Sequence, residues 1–229
     1  MVSDLFIPRR DFIVPKMPSY VKLDMAFGIG AGAQLMDKAR YRSHGTISGA
    51  AWATGAHGRC LDFDPTEPSY LEIAAADSTQ LDFTSEDFSI VCRVYIDDLT
   101  GYRWIFSRGI TNGDGYEFRI NITDGIPYLN TNQSGAVQTT VGGTLTTGVW
   151  YTLGVSRDGA AVKIYANGVD VTSTSGTHID PATSARSAKI GIYDNKVAFP
   201  FDGKIEFLRI FGGIALSASE HLAWHNALA

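Results

Sequence analysis

Trp104 opens one short β-patterned run, Trp104 to Arg108, with Tyr102 just before it, and Tyr128 sits in another, Pro127 to Asn130. Their flat rings are of the kind that stack on a sugar, although aromatic side chains on strands also serve as core or cross-strand packing, and position in the chain does not separate the two uses. Hydrolysis of a glycosidic bond needs two positioned carboxyl groups, about 5 Å apart where one of them is the nucleophile. Glu117 and Glu206 each stand alone on a β-patterned run, so each reads as a solvent-facing or paired carboxylate, and no catalytic residue is expected. His221 and His225 are spaced to share one helix face, as a zinc pair can be, but no glutamate follows His221 and no third ligand is indicated. They read as part of a polar helix surface.

The elements that carry these residues announce themselves by period two. In WYTLGVSRDGAAVKIYANG, from Trp150 to Gly168, the apolar series Tyr151, Leu153, Val155 and Val162, Ile164, Ala166 alternate as half-buried strands do. Asp158-Gly159 and Asn167-Gly168 supply corners that accept positive φ, so two successive tight hairpins are expected. Similar runs recur at Tyr20 to Met25, Arg59 to Phe63, Tyr70 to Ile73, Phe88 to Ile96, Tyr116 to Ile122, Ala188 to Ile192 and Gly203 to Phe211. Many short strands between turn signals predict a sandwich or barrel. Residues 28–58, rich in Gly and Ala with little periodicity, read as a long connection over a sheet edge. Ser217-Ala218-Ser219-Glu220 fits a capping box, predicting a helix from about Ala218 to Ala227 with Leu222 and Trp224 as its docking surface.

A chain of 229 residues with 45% hydrophobic content is expected to build one main domain. A net charge of −5 without a basic block argues against nucleic acid, and no apolar run reaches the roughly 20 residues of a membrane span. The first residues lack the pattern of a signal peptide, so the protein is expected to stay in the cytoplasm where it is made. Cys60 and Cys92 are too few for a disulfide framework, and Cys92, in phase with Phe88, Ile90 and Val94, reads as a buried thiol.

Residues 1–19 differ from the rest. Pro8, Pro15 and Pro18 punctuate two apolar clusters, Leu5-Phe6-Ile7 and Phe12-Ile13-Val14, a composition that favours extended chain. Such an arm either packs on its own sandwich, spanning residues 20–229, or lies on a neighbouring subunit; on the second reading those six residues form the partner contact.

The stretches GRCLDFDPTEPSYLEI, LDFTSEDFSIVCRVYI, GVWYTLGVSRDGAAVKIYANG and FDGKIEFLRIFGGIALSASE together resemble the laminin G-like branch of the concanavalin A-like lectin and glucanase superfamily. The resemblance implies an all-β, two-sheet antiparallel jelly-roll sandwich with a short C-terminal helix. It also implies a function drawn from glycan binding, catalysis, adhesion or virion structure. The paired acidic runs of the family's glucanases, Glu-x-Asp-x-x-Glu or Glu-x-Asp-x-Glu, are absent here. The family often holds calcium at the sandwich rim, for which Asp114, Asp194, Asn195 and Asp202 are the oxygen-bearing candidates. Arg93, Thr152 and Glu206 stand where the family commonly has tryptophan, histidine and aspartate. The expected function is a non-enzymatic structural or interaction protein, an auxiliary virion component decorating a capsid or tail, with capsid or tail subunits as partners and copies arranged as a homo-oligomer or array. The alternatives are a carbohydrate-binding module and a degenerate glycosidase.

Overall fold

The computed structural model describes residues 17–27, 30–121 and 124–228. In chain order the elements are α1 (Met17–Tyr20), β1 (Val21–Ala26), β2 (Gln34–Leu35), β3 (Gly45–Ser48), β4 (Ala51–Thr54), β5 (Arg59–Phe63), β6 (Tyr70–Ile73), β7 (Phe88–Ile96) and β8 (Arg103–Ile110). There follow β9 (Asp114–Ile120), β10 (Pro127–Gln133), β11 (Ala136–Val141), β12 (Trp150–Asp158), β13 (Ala161–Ala166), β14 (Val169–Asp170), β15 (Ala188–Ile190), β16 (Gly203–Gly212) and α2 (Ala218–Leu228).

Among the described residues these strands make two antiparallel sheets, and the jelly-roll sandwich is the architecture found. The first runs β14-β13-β12-β7-β16-β5-β4, with β1 also pairing the long strand β16; the second runs β11-β10-β9-β8-β15-β6-β3-β2. Alternation decides what fills the space between them. Ile90, Cys92, Val94, Leu153, Val155, Val162 and Ile164 point inward from the first sheet and meet Ile105, Phe106, Tyr116, Phe118, Ile120 and Leu129 from the second. Full burial of side chains of this size stabilises by about 1.5–3 kcal/mol each. Cys60 and Cys92 are buried free thiols, Cys92 in the expected phase.

Both tight hairpins form, with Gly159 at φ +54°, Asn167 at +52° and Gly168 at +79°. The capping box also forms: Glu220 Oε2 accepts the Ser217 amide at 2.7 Å, and the Glu220 amide reaches Ser217 Oγ at 3.4 Å.

Four stretches differ from the sequence reading, one of them a strand that the reading did not include. Residues 28–58 are not a bare connection but carry β2, β3 and β4, strands of two to four residues, too short to give a period-two signal. Ala136–Val141 adds an edge strand, β11, that is too polar to read as half-buried. Part of the proline-rich arm, from Met17, turns helically into Tyr20, since Pro18 lies in a first turn, where a missing N–H costs nothing. The fourth concerns α2. Its His221 is buried against the first sheet, with Nε2 2.8 Å from Ser156 Oγ and its ring stacked on Tyr165 at 4.0 Å, while Leu222 remains 45% exposed. Gly154 makes this docking possible, because a Cβ there would lie 2.3 Å from His221 Nδ1. Trp224 does dock, stacking on Phe207.

Candidate functional site

The outer face of the second sheet brings the aromatic candidates together. In register, Trp104 on β8 faces Arg119 on β9, which faces Tyr128 on β10; the next outward row is Ser107, Glu117, Asn130 and Thr139. Because Tyr116, Phe118 and Ile120 take the core positions of β9, Glu117 and Arg119 must point out. The Arg119 guanidinium carbon lies 5.0 Å from the ring centroid of Tyr102, 5.1 Å from Trp104 and 4.9 Å from Tyr128. Three rings found in different loops and strands thus converge on one cation, a residue that sequence reasoning did not single out. Its signal was register: Arg119 occupies the one outward position on β9 flanked by both aromatic residues.

The three rings are not equivalent. Trp104 is only 4% exposed, stacked on Phe199 at 5.0 Å with Tyr193 against it at 4.9 Å, so it backs the site rather than offering a free face. Tyr102 and Tyr128 are half-buried, and Phe199 is 40% exposed at the rim. The reachable surface is therefore a shelf of Tyr102, Tyr128 and Phe199 around Arg119.

Glu117 is fully buried rather than solvent-facing. It accepts hydrogen bonds from Trp104 Nε1 at 3.2 Å, Thr111 Oγ1 at 2.7 Å and Asn132 Nδ2 at 3.5 Å. Burial raises its pKa, with the hydrogen bonds from Thr111 and Trp104 and the charge of Arg119 opposing. Burial likewise lowers the pKa of Arg119, with Glu117 opposing.

Glu206 lies on the outer face of the first sheet, on the far side of the sandwich from Glu117. It pairs with Arg93 at 3.3 Å and accepts the His57 amide at 2.6 Å. Carboxyl groups on opposite outer faces cannot flank one glycosidic bond, whichever acid role either might take.

The calcium candidates are each engaged elsewhere. Asp194 is held between Arg186 at 2.6 Å and Lys189 at 2.7 Å, Asp114 by Arg186 at 3.5 Å and the Ile110 amide at 3.2 Å, and Asp202 by Arg103 at 3.4 Å. Asn195 Oδ1 accepts the amides of Val197 and Ala198 at 3.0 and 2.8 Å. Among the described residues no three His, Cys, Asp or Glu side chains gather as a metal site, so this set does not fit calcium. His225 bonds Thr152 Oγ1 at 3.2 Å and His221 bonds Ser156, so the spacing that suits zinc serves docking. Leu5, Phe6, Ile7, Phe12, Ile13 and Val14 lie outside the described residues.

The family model of the concanavalin A-like lectin/glucanases superfamily matches residues 68–220. The chain belongs to this superfamily. Among curated proteins none is similar enough to match. Among solved structures, domain 4 of AbnA, an extracellular GH43 arabinanase from Geobacillus stearothermophilus solved with arabinotriose, is 24% identical with a TM-score of 0.67, covering 89% of this chain and 97% of that one. The receptor-binding domain of botulinum neurotoxin D is 14% identical with a TM-score of 0.71, over 93% of this chain and 54% of that one. The binding domain of Paraclostridial Mosquitocidal Protein 1 is 14% identical with a TM-score of 0.70, over 93% and 53%. At these identities the likeness is one of fold, and the chain spans about half of either toxin domain.

Within this lectin-like fold, the three departures from the family's usual residues prove to be neighbours. Arg93 on β7 faces Thr152 on β12 across the ladder, donates to its Oγ1 at 3.3 Å and reaches Glu206 on β16. They form one polar patch that fastens α2 and the His57 loop to the first sheet. In this superfamily member those positions hold structure together on the face opposite the aromatic shelf.

Proposed function

We propose that this chain is a non-enzymatic carbohydrate-binding domain whose contact surface is the shelf of Tyr102, Tyr128, Phe199 and Arg119. The observation that carries the reading is the pair of half-buried tyrosine rings flanking a guanidinium on a rigid, Trp104-backed sheet face. Ring faces fixed by packing lose little entropy when a sugar stacks on them. The non-enzymatic half rests on the separation of Glu117 and Glu206. That an arabinanase domain of the same fold was solved with arabinotriose, matched over 97% of its length, supports a saccharide as the class of ligand.

Calorimetric titration with a panel of plant, bacterial and animal oligosaccharides tests this. Tyr102→Ala and Tyr128→Ala are each expected to weaken binding roughly tenfold, the scale of a stacking contact of about 1.4 kcal/mol. Their melting temperatures should stay close to the parent's. Binding indifferent to both substitutions would overturn the assignment.

The auxiliary virion role is a separate proposal, supported by the proline-punctuated apolar clusters of residues 1–19. On it, Leu5 to Ile7 and Phe12 to Val14 staple the domain to a capsid or tail subunit in an infected cell. Deleting residues 1–19 is expected to release the domain from the assembled particle; full occupancy of the truncated protein counts against the arm.

A further inference from the structure

Every arginine among the described residues has one of two fates, except Arg119. Arg93, Arg103, Arg108, Arg157, Arg186 and Arg209 each hold a carboxylate, at distances from 2.5 to 3.3 Å. Arg40, Arg42 and Arg59 are exposed to water. Arg119 is half-buried, and no carboxylate of the described residues lies within ion-pair distance of it. Its Nε and Nη1 are buried with no hydrogen-bond acceptor.

A desolvated donor without an acceptor is costly, the more so when it is charged. Three ring faces offset part of that cost, because their quadrupoles attract a cation, but they do not accept hydrogen bonds as an oxygen does. The carboxylates nearby do not fill the gap. Glu117, two positions back on the same strand face, spends its oxygens on Trp104, Thr111 and Asn132. Asp194, beside Tyr193, is shared by Arg186 and Lys189. Asp124 is drawn to Asn121, which also donates to the Tyr128 hydroxyl at 3.3 Å. A guanidinium is a planar fork matched to a carboxylate, and this one sits between the two rings where a sugar would lie.

We infer that the saccharide taken at this shelf carries a carboxylate, as a uronic or sialic acid does, with that group seated on Arg119 and the sugar ring against Tyr102 and Tyr128. This rests on the carbohydrate reading above and narrows it to acidic sugars. Neither flanking tyrosine supplies the charge, so removing Arg119 should change which sugar is preferred, whereas removing a tyrosine should weaken all of them.

The experiment titrates the full chain with tetragalacturonate and its carboxyl-reduced neutral counterpart, and with sialyllactose and lactose, at low and high salt. At least one acidic probe is expected to bind ten times or more tighter than its neutral partner, with the advantage shrinking in high salt. Which acidic probe prevails distinguishes a uronic from a sialic source. Arg119→Gln should bring the acidic probe down to the affinity of the neutral one. Arg119→Lys, which keeps the charge but not the fork, should retain part of the preference, and it serves as the readout if Arg119→Gln does not fold. Equal binding of acidic and neutral probes overturns the inference and leaves the carbohydrate reading standing. No binding by any of the four at millimolar concentration overturns the inference, and no binding by any member of the wider oligosaccharide panel overturns the carbohydrate reading as well.

Discussion

Gly115→Ala is expected to remove at least 4 kcal/mol of stability, at the extreme of single substitutions, or to leave no soluble protein. A Cβ at Gly115 would stand 1.6 Å from the Arg108 carbonyl oxygen, backbone that cannot rotate away. The residue also holds φ at +66°, where an L side chain is strained. Across the ladder it faces Gly109, itself at φ +128° with the Asp114 carbonyl 2.1 Å from where a Cβ would be, so the two glycines let β8 and β9 close on each other. Opening that hairpin moves Glu117 and Arg119, which follow on β9, away from Trp104. Gly159→Ala is the control: φ is +54° but nothing lies within 4 Å of its Cβ, so only the backbone strain of roughly 1–2 kcal/mol should appear. Urea denaturation of the two variants separates steric exclusion from φ preference, and a Gly115→Ala loss no larger than that of Gly159→Ala would refute the argument.

Residues that act locally were the ones legible in the sequence. The alternation of Leu153, Val155, Val162 and Ile164 states their burial outright, and the Ser217–Glu220 box states where α2 begins, because in each case neighbours in the chain supply the partner. Strands β3 and β4 escaped notice because four residues are too few to show an alternating period; Ala51 to Thr54 pair with Arg59 to Asp62 in the adjoining hairpin, and Thr46 to Ser48 have a remote partner in Tyr70 to Glu72. His221 was misjudged because its partner too is remote, since only the missing Cβ of Gly154 turns a polar helix position into a buried one. The site divides along this line. Tyr102, Trp104 and Tyr128 were visible as residue types, but the burial of Trp104 depends on Phe199, from a distant loop, and the place of Arg119 depends on the register of three strands.

Acid should loosen the molecule well before its carboxylates are protonated. His178 is buried with Nδ1 2.8 Å from Thr131 Oγ1 and Nε2 2.7 Å from Thr140 Oγ1; burial, and then the charge of Arg157, lower its pKa to about 4. Burial lowers that of His221 to about 3, with Asp170 opposing. In the unfolded chain both take a proton near pH 6.5. Between that value and the folded pKa values the unfolded state binds more protons, so stability falls as pH falls, by up to about 1.4 kcal/mol per pH unit for each histidine. From pH 6.5 to about 4 the pair accounts for a loss on the order of 5 kcal/mol, comparable with the whole stability of many domains. Glu117 and Asp202, whose pKa values burial raises, bind protons more readily when folded and act in the opposite sense. Substitution is therefore needed to assign the slope. Urea midpoints between pH 7.5 and 4.5 should fall steadily in the parent, and His178→Asn should flatten the fall even though it lowers the midpoint at pH 7.5. A parent curve level from pH 7 to 5 would show that these rings are not held neutral. His178 ties Thr131 on β10 to Thr140 on β11, and β10 is the strand that presents Tyr128. Protonation at this plug should thus release the sheet edge behind the aromatic shelf, making loss of the binding surface an early consequence of acid rather than a late one.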